Sequence, residues 1–127
     1  MSMTNYLENK VLDHITGKTA FTAPTKLYLA LLSTSSTEDA IGTELTTASY
    51  TRKPVTFDTA TNGVITNATD IVFDVATEAW GTIPAIAVYD AETAGNALFY
   101  GDLTVSTEVS IDNQFIIKAG KLTITLD

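Results

Sequence analysis

Residues 83–103 read IPAIAVYDAETAGNALFYGDL, and this stretch indicates an antiparallel β-hairpin. Residues 83–89 and 97–103 are two mainly apolar runs of strand length. Residues 90–96 between them are polar and contain a glycine, which is typical of a hairpin loop. We therefore expect these two strands to pair within an antiparallel sheet.

Residues 26–32, KLYLALL, are apolar on both faces if the chain is extended there. Leu29 and Leu31 would point to one face, and Ala30 and Leu32 to the other. A strand that is apolar on both faces is normally covered on both. We expect a central strand with a helix on one side and a second sheet on the other.

Short strands separated by turn signals follow in the rest of the chain. Asn62-Gly63 and Asp112-Asn113 are two-residue turn candidates, and the 23 threonines favour pleated, half-buried surfaces. Pro54 cannot donate to a strand ladder, so its strand should have an edge or a bulge there. We predict a mainly β fold in a single domain over residues 1–127. It would be an antiparallel β-sandwich or jelly-roll-like barrel of about eight strands, with one short N-terminal α-helix.

The N-terminal helix is predicted over residues 5–16. The helical period places four apolar residues on one stripe: Leu7, Val11, Leu12 and Ile15. Asn5 is the predicted N-cap, and Gly17 is placed to end the helix in a left-handed conformation. Such a short helix is marginal alone in water. We therefore expect its apolar stripe to dock on the sheet near the strand at residues 26–32.

The charge balance excludes several classes of partner. The chain carries 15 acidic and 7 basic residues, with a formal net charge of −8 and a pI near 4.3. Such an acidic chain is repelled by phosphate backbones, so we predict no nucleic-acid partner. No apolar run approaches the roughly 20 residues of a membrane-spanning helix, and we predict no membrane association. Without cysteine, disulfides and thiolate chemistry are excluded.

Motifs for catalysis are absent from the sequence. His14 is the single histidine, and we interpret it as a residue of the polar helix face. Neither a Gly-x-Ser-x-Gly elbow nor a phosphate loop occurs. Paired carboxylates would suit a glycosidase, but the acids are spread thinly over predicted loops. Asp70 with Asp74, or Asp90 with Glu92, would suit a calcium ion, but turn chemistry alone favours such acids. We predict a non-enzymatic protein without catalytic residues, cofactors or metal sites.

Trp80 and Asn67 each allow two interpretations. A half-exposed Trp80 near Tyr89 and Tyr100 would stack on a sugar ring, whereas a buried one would anchor the core. We favour the core, because aromatic side chains dominate core energetics wherever they can be buried. Asn67 with Thr69 fits a glycosylation acceptor site, which we attribute to chance.

Several stretches together resemble a family of small tailed-bacteriophage proteins, usually described as tail fibre or minor structural proteins. The shared pattern combines an N-terminal helix, a small-x-Pro entry into an apolar strand, and Gly-Thr-Glu followed by Ser-Tyr-x-Arg. Further on come Trp-Gly, a Tyr-Asp-Ala-x-x-x-Gly-Asn-x-Leu-x-Tyr hairpin and a closing Leu-Thr-Ile-Thr strand. The stretches that carry it are residues 7–34, 42–45, 49–57, 80–103 and 119–127. The resemblance covers most of the chain and supplies no catalytic residue.

The resemblance implies a virion structural protein, made in the host cytoplasm and located on the surface of the phage particle. We favour a capsid decoration or cement protein on the head, since the chain is compact, acidic and without the repeats of a fibre shaft. The alternative is a tail tip, baseplate or tail-fibre module that contacts the host surface. A carbohydrate-binding module or lytic enzyme ranks third. The expected partners are the major capsid protein or tail proteins, and further copies of the chain in a homo-oligomer, with a trimer favoured.

Two contacts are predicted from particular residues. Residues 33–49 form a long polar segment, and ordering each backbone residue costs roughly 1–2 kcal/mol. Ile41 and Leu45 are the only large apolar residues in it, so we expect a neighbouring subunit or the capsid to bury them. Arg52 is the only arginine, and we expect a structural ion pair with Glu44, because GTEL and SYTRK occur together in the family pattern.

Overall fold

The structure, a computed structural model, describes residues 1–126 and contains one α-helix and nine β-strands in that part of the chain. In chain order they are β1 (Ser2–Met3), α1 (Asn5–Ile15), β2 (Leu27–Leu32), β3 (Lys53–Val55), β4 (Val64–Thr66), β5 (Ile71–Val72), β6 (Gly81–Tyr89), β7 (Ala97–Val109), β8 (Ile116–Ile117) and β9 (Thr123–Thr125).

The strands form one five-stranded sheet and two short ribbons. The sheet has the order β1-β7-β6-β2-β3, and all its neighbours are antiparallel. Strands β6 and β7 form the predicted hairpin, with Val88 opposite Phe99. Pro54 lies in β3, which is an edge strand of the sheet, as expected. The ribbons are β4 with β9 and β5 with β8, and residues of the β5–β8 ribbon pack into the core on one face of the sheet. The prediction of a mainly β, sandwich-like fold with one short helix is confirmed, and within residues 1–126 the sheets do not close into a barrel.

The main core fills the space between the sheet and the ribbons. Leu29 and Leu31 of β2 are fully buried in it. Phe73 and Phe115, which flank the β5–β8 ribbon, pack edge to face with ring centroids 5.7 Å apart. Burying a side chain of this size contributes roughly 1.5–3 kcal/mol. The stability of the fold therefore comes chiefly from this layer.

The second face of β2 is also covered, but not by the helix. Leu32 packs with Ala85 and Ala87 of β6, and the partly buried Ile41 and Tyr89 lie against them. Ile41 belongs to the segment 33–49, which we call the long loop. The helix packs beside β7 and β1 instead. The prediction of helix cover over β2 is therefore wrong, because the long loop supplies that cover.

Helix α1 is attached to the sheet by its first turn. Thr4, not Asn5, is the N-cap: its Oγ1 accepts from the Leu7 amide at 3.3 Å and donates to a β7 carbonyl oxygen at 2.7 Å. Leu7 is 5% exposed, whereas Leu12 is 62% and Ile15 75% exposed. Val11 is partly buried. The prediction that the whole apolar stripe docks on the sheet is wrong, because Leu12 and Ile15, in the later turns of the helix, remain in solvent.

Strand β7 bulges outward opposite Pro84 of β6. Asp102 stands opposite Ala85, yet Thr107 stands opposite Ile83, so residues 103–106 face a single proline. Proline has no N–H to donate to a strand ladder, and sheets accommodate it at bulges. The bulge leaves Val105 75% exposed.

Candidate functional site

Arg52 lies at the centre of the most densely hydrogen-bonded part of the molecule. Its side chain is 7% exposed and forms a two-pronged ion pair with Glu44, through Nε to Oε1 at 2.9 Å and Nη2 to Oε2 at 2.8 Å. Its Nη1 donates to the carbonyl oxygens of Ala91 and Ala94 at 2.9 and 2.7 Å. The guanidinium also lies 3.6 Å from the centroid of the Tyr89 ring. One cation thus joins the long loop to the β6–β7 hairpin.

Tyr50 connects this ion pair to the core. Its hydroxyl donates to Glu44 Oε1 at 2.7 Å and accepts from the Leu31 amide at 3.1 Å. Its ring stacks on Phe73 with centroids 6.1 Å apart and meets Trp80 edge-on at 5.7 Å. The loops above are therefore fixed to the largest aromatic cluster of the fold.

The ionisation of these groups follows from their contacts. Burial would raise the pKa of Glu44, but hydrogen bonds from Arg52 and Tyr50, with the charge of Arg52, outweigh burial and lower it. Burial, followed by the hydrogen bond to the Glu44 carboxylate, raises the pKa of Tyr50 well above its ordinary value. Burial opposes the Arg52 charge, yet its bonds to Glu44 raise the pKa of the guanidinium. At neutral pH the network therefore contains a carboxylate, a cation and a neutral phenol.

The hairpin tip, residues 90–96, is held in one conformation by its own side chains. Asp90 accepts hydrogen bonds from Asn96, with the amide N at 2.7 Å and Nδ2 at 3.1 Å. Ala94 and Gly95 both have positive φ, at 53° and 73°. A Cβ on Gly95 would come within 2.5 Å of Asp90 Oδ1, so only glycine fits there. The tip is exposed from Glu92 onward, yet these hydrogen bonds and the left-handed residues define its backbone conformation.

The long loop makes hydrogen bonds within the chain. It returns along β2, with the Ser33 amide donating to Thr43 O at 2.7 Å and the Leu45 amide donating to Leu31 O at 3.1 Å. Farther out, the Asn5 amide at the start of α1 donates to a loop carbonyl oxygen at 3.2 Å. These bonds offset part of the entropy cost of ordering the loop.

We call the surface made by the long loop and the hairpin tip the loop end. Two clefts open on it. A cleft of about 280 Å³ lies beside the ion pair and includes Thr51, Glu92 and Thr93. A cleft of about 340 Å³ lies between the start of α1 and the hairpin, and includes Glu38 and Asp39. The loop end thus presents acidic and hydroxyl side chains on a rigid support.

The structure brings together one of the two predicted residue pairs. Arg52 and Glu44 form the ion pair described above. Ile41 is partly buried against β2 and β6, and Leu45 is 8% exposed within the main core. A subunit or capsid contact through these two residues stays a prediction, although Leu45 has little surface left to offer a neighbour.

The remaining candidates have structural roles. Trp80 is 4% exposed and anchors the core, as favoured from the sequence. Asn67 is 1% exposed and donates to the carbonyl oxygens of Thr69 and Lys118, so its amide is inaccessible to glycosylation. His14 is exposed, and its Nδ1 accepts from the Phe21 amide at 3.1 Å.

Three of the four acids weighed for calcium have partners of another kind. Asp70 pairs with Lys118 and Asp74 with Lys53, while Asp90 closes the hairpin tip. Within residues 1–126 no group of three or more His, Asp or Glu side chains is arranged to hold a metal ion. Over the same residues, the structure contains no helix of the length and apolarity that a bilayer crossing requires.

Sequence reasoning found the ion pair but missed most of the network around it. The partners Ala91 and Ala94 act through backbone carbonyl oxygens, which leave no signal in the sequence. Tyr50 stands two residues before the only arginine of the sequence, which is a usable signal that the two share a site. Tyr89 is distant in sequence, and only the fold brings its ring against the guanidinium.

Comparison with known proteins places the chain among phage proteins. A protein family described as "Podophage GP4 fiber I protein gp80" matches residues 2–125. A search of curated proteins found no match. The family match agrees with the resemblance to tailed-phage structural proteins and gives the chain a place in the virion. Because that match covers almost the whole chain, the protein belongs to the podophage fibre family described as fiber I protein gp80.

Proposed function

We propose that this protein is a non-enzymatic tail-fibre module that contacts the host surface through its loop end. The observation that carries the proposal is the placement of Arg52. Four hydrogen bonds from its nearly buried guanidinium hold the long loop and the hairpin tip together. A buried ion pair is a weak source of stability, and its best attested use is to fix one conformation. The conformation being fixed here belongs to exposed loops, which suits a binding surface.

The family description supports a fibre more than a head decoration. The expectation of a capsid decoration or cement protein rested on the compactness and acidity of the chain. Both properties suit a tail-fibre module equally well. The matched family is described as a fibre protein, which favours the alternative of a tail-fibre module. The expected partners are other virion proteins. We also propose that the protein is made in the host cytoplasm and lies on the surface of the particle.

A cell-binding experiment tests the contact. The purified chain, fluorescently labelled, is incubated with cells that the phage infects. Glu92→Lys changes the exposed hairpin tip, and Glu108→Lys makes the same charge change at an exposed residue of β7 outside the loop end. We expect Glu92→Lys to weaken binding on the order of tenfold and Glu108→Lys to leave it unchanged. Equal effects of both variants would remove the loop end from the proposal.

Copy number tests the placement separately. Quantitative mass spectrometry of purified particles gives the ratio of this chain to the major capsid protein. A fibre module predicts a few dozen copies or fewer per particle. Hundreds of copies would instead indicate a decoration protein on the head.

A degradation assay tests the proposal that the protein is not an enzyme. The chain is incubated with peptidoglycan and with capsular polysaccharide, and release of soluble fragments would contradict the proposal.

A further inference from the structure

The guanidinium of Arg52 has one hydrogen-bond donor left unused within the described chain. A guanidinium carries five N–H groups. Four of them donate to Glu44, Ala91 and Ala94, and among residues 1–126 the second N–H of Nη2 has no acceptor. The side chain is 7% exposed, so this donor belongs to a buried cation. Because a buried donor without an acceptor costs free energy, the N–H indicates a binding position for an acceptor from outside the chain.

A free acceptor position lies beside this donor. Glu44 Oε2 accepts a hydrogen bond from Arg52 Nη2 at 2.8 Å, and the glutamate side chain is 26% exposed. A carboxylate oxygen can accept more than one hydrogen bond, so Oε2 has capacity for a second. Both residues line the cleft of about 280 Å³ at the loop end. This cleft therefore presents a charged donor and a charged acceptor whose heavy atoms are 2.8 Å apart.

Two neighbouring hydroxyl groups of a sugar ring match this pair. A hydroxyl group both donates and accepts. Neighbouring hydroxyl oxygens on a sugar ring lie about 2.9 Å apart, so one can accept from Arg52 Nη2 while the next donates to Glu44 Oε2 at ordinary hydrogen-bond length. Both bonds involve a charged protein group, which makes them stronger than bonds between neutral groups. The exposed residues Thr51 and Thr93 line the same cleft, and their hydroxyl groups can bind further hydroxyls.

The charge and size of the cleft narrow the class of ligand. Glu44 and Glu92 repel an anion, and the nearby Arg52 cation disfavours a metal ion or an ammonium group. A neutral ligand with several hydroxyl groups is left. Pockets for drug-sized ligands measure roughly 300–1,000 Å³, so a cleft of about 280 Å³ suits one ring and not a longer chain.

We infer that this cleft binds a single neutral sugar ring of a host-surface glycan through two neighbouring hydroxyl groups. The inference rests on the proposed function, because it names the ligand of the loop end. A sugar ring with about a dozen non-hydrogen atoms forms few contacts, so we expect a dissociation constant in the millimolar range. Several copies of the chain on one particle would bind a glycan-covered surface far more tightly through avidity.

Nuclear magnetic resonance of the isotope-labelled full chain tests the binding directly. The probes are the methyl glycosides of glucose, galactose, mannose and N-acetylglucosamine, each titrated to about 100 mM. We expect at least one of them to shift the backbone amide signals of Thr51 and Thr93 and the Nε–H signal of Arg52, with saturation in the millimolar range. The uronate of the same sugar carries a carboxylate in place of the CH₂OH group, and it should bind at least about fivefold more weakly.

Three variants test the geometry. Thr93→Val replaces a hydroxyl of the cleft by a methyl group, and Thr125→Val makes the same change at an exposed residue of β9 outside the cleft. We expect Thr93→Val to weaken binding about threefold and Thr125→Val to leave it unchanged. Arg52→Lys keeps the charge but lacks the planar fork and its spare N–H, so it should weaken binding at least about tenfold. The amide spectrum shows whether each variant is folded, and the two threonine variants carry the test if Arg52→Lys is not.

The outcomes separate the sugar site from the proposed function. The sugar site would be overturned by the absence of saturable shifts with every glycoside, by shifts confined to other parts of the chain, by a uronate that binds as tightly as its sugar, or by equal effects of Thr93→Val and Thr125→Val. If Glu92→Lys still weakens cell binding in that case, the loop end contacts the host through another ligand. Sugar binding in the cleft without any binding to cells would support the site and contradict the proposed function.

Discussion

Arg52 and Glu44 form a two-pronged ion pair in which the shorter contact, Nη2 to Oε2, is 2.8 Å. The arginine side chain is 7% exposed and the glutamate side chain 26%. The pair is thus buried on its cationic side and reaches solvent on its anionic side. Removing Glu44 leaves the buried guanidinium without its counter-charge, whereas removing Arg52 also takes away the hydrogen bonds to Ala91 and Ala94.

A double-mutant cycle on this pair should show strong coupling. Arg52→Ala is expected to lower the free energy of unfolding by about 3 kcal/mol, since it leaves Glu44 and two carbonyl oxygens without their donor. Glu44→Ala should cost about 2 kcal/mol, and the double variant about 1–2 kcal/mol less than the sum. Urea unfolding measures the free energy of unfolding of the three variants.

The more exposed Lys53–Asp74 pair is the control, and Asp74→Ala should cost less than about 1 kcal/mol. Additive costs for Arg52 and Glu44 would show that the pair is not coupled.

The lowered pKa of Glu44 predicts a loss of stability in acid. Its ordinary value is 4.5, and burial raises it less than the contacts with Arg52 and Tyr50 lower it. A carboxyl whose pKa is lower in the folded state stabilises the fold fully above pH 4.5. That contribution is lost as the pH falls through the lower, folded value. The free energy of unfolding at pH 7, 5 and 3 should therefore fall less steeply for Glu44→Gln than for the parent chain. Parallel curves would contradict this account.

Gly95 should tolerate no side chain. It has φ of +73°, and an added Cβ would come within 2.5 Å of Asp90 Oδ1 and 2.7 Å of Ala91 Cβ. Gly17 at the end of α1 has a similar φ of +76° with nothing within 4 Å, so it isolates the backbone effect. We expect Gly17→Ala to cost about 1 kcal/mol and Gly95→Ala clearly more, measured by thermal unfolding. Equal costs would mean that the hairpin tip can rearrange.

The sequence predicts the strands of this fold better than it predicts what covers them. The apolar run at residues 26–32 and the polar turn between two apolar runs at residues 83–103 are local patterns, and β2, β6 and β7 occur where these patterns predict strands. The cover over β2 is a tertiary property. It comes from Ile41, one apolar residue in an otherwise polar loop, and no periodicity marks such a residue. Likewise Thr4 and Asn5 are both good N-caps, and the bond from Thr4 to β7 decides between them.

The helix gives the last prediction, and here the structure reverses the expectation from the sequence. The periodic stripe predicts that Leu12 docks on the sheet, yet it is 62% exposed, whereas Leu7 is 5% exposed beneath the cap. Leu7→Ala removes a buried side chain and should lower the free energy of unfolding by about 2–4 kcal/mol. Leu12→Ala should change it by less than about 0.5 kcal/mol, since surface substitutions rarely do more. The two variants lose the same atoms from the same helix, so differences in helix propensity cancel. Urea unfolding of the two variants and the parent chain measures both costs. A large cost for Leu12→Ala would show that α1 lies against the sheet along its whole length.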